Sequence, residues 1–299
     1  MASAQRRPTF GQWIEGARLR TLPMAVAPVI IGSAAAYHLG SFLLLNAILA
    51  AVVALFLQIG VNYANDYSDG IRGTDDVRVG PLRLVGSGVA SPKQVKYAAF
   101  STFAVAMVAG LGLVLLSQAW WLLLIGAGCA LAAWGYTGGK NPYGYLGLGD
   151  VFVFVFFGLV ATLGTTYTQA GRLGWEAVIG AVGTGLIAVA LLMANNVRDI
   201  PTDQEAGKRT LAVRLGDRNA RRSYVLFLAI AILLPLVMLG EHPWLLIVLL
   251  LVPATLLPSW IMLSGKTRKA LIPVLKQTGL INLGFSVLYG LALVLSKGF

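Results

Sequence analysis

The sequence predicts an all-α integral membrane protein with about nine transmembrane helices around a central cavity that opens at the cytoplasmic rim. Of its 299 residues, 57% are apolar and only 12% are charged, which excludes an ordinary soluble domain. Apolar runs near the ~20 residues needed to cross a bilayer recur along the whole chain. They leave no room for a separate soluble domain, so we expect a single membrane domain over residues 1–299.

The apolar runs define the spans in order. Residues 9–21 mix aromatic and aliphatic side chains with Arg18 and Arg20, which predicts an interfacial helix before the first span. That span, over 22–37, is short, contains two prolines and is followed by small residues, so a cleavable signal peptide is the alternative. Further spans are expected near 42–64, 94–116, 119–136, 149–170, 175–197, 222–240, 243–263 and 272–296.

The basic residues predict the orientation of these spans. If the amino terminus is cytoplasmic, every Lys and Arg except Arg172 and Lys297 falls on the cytoplasmic side. This distribution predicts a multi-pass protein of the cell membrane whose loops at 65–91 and 199–218 are cytoplasmic. Topology and anionic lipid headgroups then account for the net charge of +11, so no nucleic-acid partner is expected.

A polar cluster follows the second span. Asn62, Asp66 and Asp69 fall at i, i+4 and i+7, which places one amide and two carboxylates on a single helix face. Carboxylate oxygens that leave positions for water and for substrate phosphates suit Mg²⁺. For one such cluster alone, a solvated loop at the end of a membrane helix is the alternative.

A second polar cluster repeats this pattern further along the chain. Asn196, Asp199 and Asp203 follow another long apolar run and fall at i, i+3 and i+7. Because both clusters end an apolar run on the same side of the membrane, we expect two acidic helix ends to face one cleft. Carboxylates gathered there would repel one another, and divalent cations held between them relieve that repulsion.

A glycine-rich stretch, YTGGKNPYGYLGLGD at 136–150, lies on the same side as the clusters. It contains Lys140 and predicts a loop that covers a bound anion, with a structural hinge as the alternative. Beyond it, Phe152 and Phe156 share one helix face; we expect them to face lipid or core, with the wall of a carbocation cavity as the alternative. Further bases near the clusters, for which positive-inside anchoring is the alternative role, are Arg72, Lys208 and Arg209.

Together these features favour a substrate with an anionic head and a membrane-soluble tail. A polyprenyl diphosphate fits, since its head suits the cytoplasmic rim and its hydrocarbon chain suits the bilayer. A secondary transporter is the alternative from another class, but its ionisable residues are expected near mid-membrane on broken helices. A non-catalytic membrane scaffold explains neither cluster.

Four stretches of the sequence resemble the UbiA-type intramembrane prenyltransferases: ANDYSDGIRGTDD, VGPLRLV, YTGGKNPYGYLGLGD and NNVRDIPTDQEAGKRTLAVRLG. The resemblance covers nearly the whole chain, and it is strongest to the actinobacterial 1,4-dihydroxy-2-naphthoate polyprenyltransferases of menaquinone synthesis. The first Asp-rich motif of that family often carries a third Asp at the position of Gly73. The two motifs match here at Asn65-Asp66-x-x-Asp69 and Asp199-x-x-x-Asp203.

The resemblance implies transfer of a polyprenyl group from its diphosphate to 1,4-dihydroxy-2-naphthoate with two Mg²⁺ ions, giving demethylmenaquinone, CO₂ and pyrophosphate. Another aromatic acceptor, such as 4-hydroxybenzoate, is the alternative. The expected catalytic and metal-binding residues are Asp66, Asp69, Asp199 and Asp203. The expected diphosphate contacts are Asn65, Arg72, Lys140, Lys208 and Arg209. The candidates for acceptor binding or for a base are Asn62, Tyr136, Asp150, Asn196 and Lys276.

Overall fold

Helices make up most of the chain in the computed structural model, which describes residues 8–72, 82–135 and 143–298. No strand occurs in these ranges. In chain order the helices are α1 (Phe10–Gly16), α2 (Leu22–His38), α3 (Leu44–Ile71), α4 (Pro92–Ser117), α5 (Leu122–Gly135), α6 (Gly149–Ala170), α7 (Trp175–Glu205), α8 (Leu211–Met238), α9 (Pro243–Leu263) and α10 (Arg268–Leu295).

The lengths of these helices agree with a multi-pass membrane protein. In the described ranges, 8 helical stretches are long and apolar enough to span a bilayer, with α1 and α2 counted together. Helix α5 is a shorter apolar helix that reaches the edge of a described range. The all-helical membrane fold is therefore confirmed, and α2 to α10 correspond to the nine expected spans.

The ends of several helices follow from local sequence. Thr9 and Gln12 form a capping box at the start of α1, and Ser91 and Gln94 form another at the start of α4. Each box satisfies backbone N–H groups that the first helical turn leaves without partners. Helix α1 is shorter than the predicted interfacial segment 9–21, because the chain takes a left-handed conformation at Arg18 before α2 begins.

The acidic helix ends extend further than the sequence suggested. The predicted loops at 65–91 and 199–218 begin as helix, since α3 continues through Asp66 and Asp69 to Ile71 and α7 continues through Asp199 to Glu205. The carboxylates are therefore held on rigid helical turns and not on loops. Helix α8 also starts well before the predicted span 222–240, with a kink at Gly216.

Small residues let the central helices approach closely. A Cβ atom on Gly32 of α2 would lie 2.6 Å from the Thr162 carbonyl oxygen of α6. On α6, a Cβ atom on Gly158 would lie 2.7 Å from the Cα atom of Gly185 on α7. Such contacts are typical of membrane helix pairs, where backbone proximity replaces the hydrophobic effect as the source of packing energy.

A cavity of about 560 Å³ lies between α2, α3, α4, α5 and α6. Its wall is almost entirely apolar, with Gln58 and Thr165 among its few polar members. Phe152 and Phe156 both line it, so the structure supports the alternative reading of these rings as part of a cavity wall. Within α6 the wall includes a π-helical segment, Phe154–Val160, which widens the turn that carries Phe156.

Candidate functional site

Asp66 is the most enclosed of the predicted site residues, with 0% of its surface exposed. Both of its carboxylate oxygens accept hydrogen bonds from the segment that follows α3: Leu84 N donates to Oδ2 at 2.8 Å and Val85 N donates to Oδ1 at 3.0 Å. The absence of a side chain at Gly70 makes room for Val85 against the helix. Asp66 is thus held in one orientation by two backbone dipoles.

Asp69 connects the two polar clusters. Its Oδ2 atom lies 3.9 Å from Arg83 Nη2, and its Oδ1 atom lies 3.9 Å from Lys208 Nζ. Arg83 belongs to the segment after α3, whereas Lys208 belongs to the loop after α7. The acidic end of α3 therefore contacts the loop that follows α7.

On α7, Asp199 is paired with its own neighbour. Arg198 Nε donates to Asp199 Oδ1 and Arg198 Nη2 donates to Oδ2, both at 2.7 Å, and both side chains are buried. This fork geometry gives a strong charge-assisted pair. Asp203, one turn later on α7, and Asn196, one turn earlier, are also buried.

The segment before α6 is attached to the loop after α7. Arg214 Nη2 donates to the Leu146 carbonyl oxygen at 2.7 Å, and Arg214 Nε donates to the Arg209 carbonyl oxygen at 3.2 Å. Gly147 has a positive φ of 75°, and a Cβ atom there would lie 2.6 Å from the Arg209 carbonyl oxygen. Only glycine suits both its conformation and this close approach. The end of the glycine-rich stretch is thereby held against the loop that follows α7 and the start of α8.

Asp150, in the first turn of α6, is buried, and within the described ranges its Oδ1 atom has no hydrogen-bond partner. The cavity wall begins two residues later, at Phe152. On α3 the wall reaches Val61, so Asp66 follows about 7.5 Å further along the helix axis at ~1.5 Å per residue. The apolar cavity and the carboxylates are therefore adjacent.

The remaining predicted site residues occupy different environments. Asn62 Nδ2 donates to the Ala17 carbonyl oxygen at 2.9 Å and to the Thr21 hydroxyl at 3.0 Å, so its amide ties the start of α2 to α3. Asn65 is half-buried beside Asp66. The exposed members of the set are Arg72, Arg209 and Lys276. Tyr136 and Lys140 lie outside the described residues.

Two arginines of the site were not predicted from the sequence. In the sequence, Arg83 and Arg198 indicate only the positive-inside orientation, yet in the structure each contacts a carboxylate of the two clusters. Arg198 directly precedes Asp199, and this adjacency is the one sequence signal that could have indicated the pair. Arg83 is separated from Asp69 by a long connection, so only the fold brings them together.

The donor set fits a hard divalent cation. All four clustered aspartates are buried, and oxygen-only sites suit Mg²⁺ better than softer metals. A carboxylate oxygen offers about two lone-pair positions, so the oxygens of Asp66 can accept their backbone hydrogen bonds and still coordinate an ion. The acidic residues lie near helix ends, unlike the mid-membrane sites of a secondary transporter.

Sequence comparison identifies a family and several similar proteins. A family model described as the UbiA prenyltransferase family matches residues 25–282. The 1,4-dihydroxy-2-naphthoate octaprenyltransferase of Mycobacterium tuberculosis is 53% identical over 272 residues, covering 91% of this chain and 93% of that protein. The protein of the same name from Mycobacterium leprae is 51% identical over 288 residues, covering 96% and 98% of the two chains.

Structural comparison gives the same fold. A UbiA homologue from Archaeoglobus fulgidus, solved with DMAPP and Mg²⁺, matches with a TM-score of 0.67 at 17% identity, covering 95% of this chain and 99% of that one. A UbiA homologue from Aeropyrum pernix K1 matches with a TM-score of 0.66 at 16% identity, covering 93% and 98% of the two chains. At these identities the matches establish the architecture.

Proposed function

The chain belongs to the UbiA prenyltransferase family, and from that premise we propose that it transfers a polyprenyl group from polyprenyl diphosphate to 1,4-dihydroxy-2-naphthoate. The names of relatives at 51% and 53% identity support this acceptor and a role in menaquinone biosynthesis. The observation that carries the proposal is the contact of Lys208, in the loop after α7, with Asp69 of α3, which links the buried aspartates of both helices beside an apolar cavity.

We propose that the aspartates hold two Mg²⁺ ions, Asp66 and Asp69 on one side and Asp199 and Asp203 on the other. Bound there, the ions would supply Lewis-acid stabilisation of the charge on the departing diphosphate. The backbone groups of Leu84 and Val85 keep Asp66 oriented for this task. Because the α3 and α7 helices place the carboxylates, little reorganisation is needed when the ions and substrate arrive.

The basic side chains beside these aspartates could exchange their contacts with the carboxylates for contacts with a bound diphosphate. Lys208 and Arg83 contact Asp69 at 3.9 Å, a distance of loose ion pairs, and Arg198 forks onto Asp199. When the carboxylates coordinate metal, these side chains can turn to the oxygens of the diphosphate, which Arg and Lys both bind. Asn65, Lys140, Arg72 and Arg209 remain proposed contacts of the same anion.

The cavity suits the hydrocarbon chain and the reacting carbon. Phe152 and Phe156 line the cavity, where aromatic rings would stabilise an allylic cation, and its apolar lining would keep water from that cation. Asp150 lies at the start of the same helix and is proposed to contact the acceptor. We place this face of the protein at the cytoplasmic side of the cell membrane, in agreement with the distribution of Lys and Arg.

The reaction balances without an added redox partner. The C–O bond between the prenyl carbon and the diphosphate breaks, and a C–C bond to the ring forms. The ring–carboxyl bond then breaks and releases CO₂, and its electron pair returns to the ring. The immediate product is therefore the hydroquinone form of demethylmenaquinone, and a separate two-electron oxidation gives the quinone. A base that removes a ring proton is not required where the prenyl group replaces the carboxyl group.

The direct test is an assay of purified protein with Mg²⁺, a polyprenyl diphosphate and each aromatic acid in turn. We expect CO₂, pyrophosphate and a prenylated product from 1,4-dihydroxy-2-naphthoate, and no product when the metal is chelated. Product from 4-hydroxybenzoate and none from the naphthoate would overturn the acceptor assignment. Full activity in excess chelator would overturn the metal assignment.

A further inference from the structure

Three potential metal ligands gather at the ends of the helices opposite the aspartates. His38 is the last residue of α2, Glu176 lies in the first turn of α7, and His242 immediately precedes α9. The chain contains only 2 histidines, and both are in this group. From Glu176 to Asp199 along α7 is about 35 Å at ~1.5 Å per residue, so this cluster is separate from the site described above.

The ligand atoms have the spacing of a first coordination shell. Glu176 Oε1 lies 3.4 Å from His242 Nε2 and 3.8 Å from His38 Nε2, and one ligand atom from each residue falls within 4.8 Å of the others. Ligands at about 2.0–2.1 Å from a tetrahedral Zn²⁺ are themselves about 3.3 Å apart. The two Glu176 distances are already close to this value, and side-chain rotations that bring the imidazole nitrogens up to about 1.5 Å closer together place all three ligands on one ion.

The orientation of His38 also favours a bound cation. Its Nδ1 atom lies 3.3 Å from the Leu293 carbonyl oxygen, which can only accept a hydrogen bond. With the proton on Nδ1, the neutral ring directs the Nε2 lone pair toward the Glu176 carboxylate. Metal-binding histidines commonly donate their second N–H to a backbone carbonyl in this way.

His242 lacks the hydrogen bonds that a buried imidazole needs. Its side chain is 5% exposed, and in the described part of the chain neither ring nitrogen has a hydrogen-bond partner. The Glu176 contact at 3.4 Å is short enough for an ion pair but does not have hydrogen-bond geometry. A buried polar group that lacks a hydrogen-bond partner carries a desolvation cost. A metal ion between the two side chains removes that cost.

The nearby cations are engaged with other groups. Arg172 Nη2 donates to the Leu39 carbonyl oxygen at 3.2 Å, and Lys297 Nζ lies 4.0 Å from the centre of the Tyr37 ring. The Glu176 charge is therefore shared chiefly with the two imidazoles in the described residues. His38, whose side chain is 19% exposed, provides a route for an ion from the surface.

We propose that His38, Glu176 and His242 form a Zn²⁺ site on the face opposite the diphosphate site. Two imidazoles and one carboxylate match zinc, whereas the oxygen-only aspartates match Mg²⁺, so the two faces select different metals. Three protein ligands leave a fourth position for water. The bound ion joins the end of α2, the start of α7 and the start of α9, and so clamps three helix ends together.

The test is zinc binding to the intact protein, purified with a histidine-free affinity tag in excess Mg²⁺. We expect one equivalent of Zn²⁺ by elemental analysis, and Co²⁺ in its place should give the intense visible bands of four-coordinate cobalt. His242→Gln should weaken Zn²⁺ binding by at least ~100-fold, since even outer-shell partners contribute 10–100-fold to metal affinity. Zinc should also raise the Tm of the unsubstituted protein.

Two controls make the result specific to this cluster. Glu241→Gln removes an exposed acid next to His242 and should leave Zn²⁺ affinity unchanged. Asp66→Asn alters the other face and should also leave it unchanged. Stoichiometric zinc that survives His242→Gln, or a wild-type protein that binds no zinc and gives no cobalt bands, would overturn the proposal. The cobalt spectrum of the wild-type protein tests for the four-coordinate metal site even if a substituted protein does not fold.

Discussion

At the scale of single residues, the groups that contact each aspartate determine the orientation of its carboxylate. Asp66 receives two backbone N–H groups, Asp69 lies between Arg83 and Lys208, and Asp199 is forked by Arg198. Carboxylates this deeply buried are tolerated because each has such partners. The buried carboxylates are thus held in fixed orientations near the membrane interior, where a divalent cation can bind them.

Asp66→Asn is expected to lower kcat by roughly 100-fold or more, in the range found when one preorganised electrostatic group is removed from an active site. The amide cannot carry the charge that holds the metal, although its size is the same. The measurement is turnover at saturating Mg²⁺ and substrates, with membrane insertion verified by size-exclusion chromatography.

The matched control is Asp217→Asn on α8. Asp217 is half exposed and accepts a hydrogen bond from Arg221 at 2.8 Å, while Arg221 also donates to two carbonyl groups. Arg221 keeps its hydrogen bonds to the Met262 and Lys266 carbonyl groups when Asp217 is replaced, and neither residue belongs to the two aspartate clusters, so turnover should stay near that of the unsubstituted protein. Near-normal turnover in the Asp66→Asn variant would show that Asp66 does not bind the metal.

At the scale of helices, the contact between α6 and α7 positions both the cavity wall and the second cluster. Gly158 lies in the π-helical segment of α6, against Ala181 and Gly185 of α7. The atoms that a side chain there would meet belong to the backbone, which cannot turn aside. This glycine therefore sets the distance between the two helices.

Gly158→Val is expected to lower the Tm, because overpacking of this kind costs about 1–3 kcal/mol. Gly164→Ala, on the same helix, is the control: a Cβ atom there meets nothing within 4 Å, so the Tm should be unchanged or slightly higher. Thermal unfolding followed by tryptophan fluorescence in detergent measures both. Equal Tm values for the two variants would mean that the close contact has no energetic importance.

At the scale of the whole molecule, the cavity is formed jointly by the five helices α2 to α6. Many large apolar side chains on the outer sides of α3, α4 and α5, such as Leu44, Leu115 and Leu131, are exposed in the isolated chain, as expected for surfaces that face lipid. The cavity wall is equally apolar but faces inward. The volume that remains between the helices limits which hydrocarbon chain fits beside the aspartates.

Gly126 lies on the cavity side of α5. Gly126→Leu is expected to lower the ratio of kcat/KM for long polyprenyl diphosphates to kcat/KM for short ones by on the order of 10-fold. The reason is that overpacking against a long chain costs about 1.4 kcal/mol, which corresponds to a factor of ten. Gly128→Leu is the control, because Gly128 is exposed on the same helix and is absent from the cavity wall. Competition assays with two chain lengths measure the ratio. An identical ratio in both variants would show that this cavity does not hold the prenyl chain.

The sequence by itself determined the membrane class, the order of the spans and the helix-end spacing of Asp66, Asp69, Asp199 and Asp203, because apolar run length and helical periodicity are local properties. Its Asp-rich motifs also indicated the family. It gave no indication that Leu84 and Val85 would orient Asp66, or that Arg83 and Arg198 belong to the site.

Only the tertiary structure decided which distant groups meet. The contact of Lys208 with Asp69, the cavity position of Phe152 and Phe156, and the gathering of both histidines around Glu176 depend on how helices pack. Helical periodicity specifies the face on which a side chain lies, but the partner of that face is set by close contacts between helices distant in sequence. Those contacts, such as Gly158 against Gly185, follow from the shape of the assembled bundle.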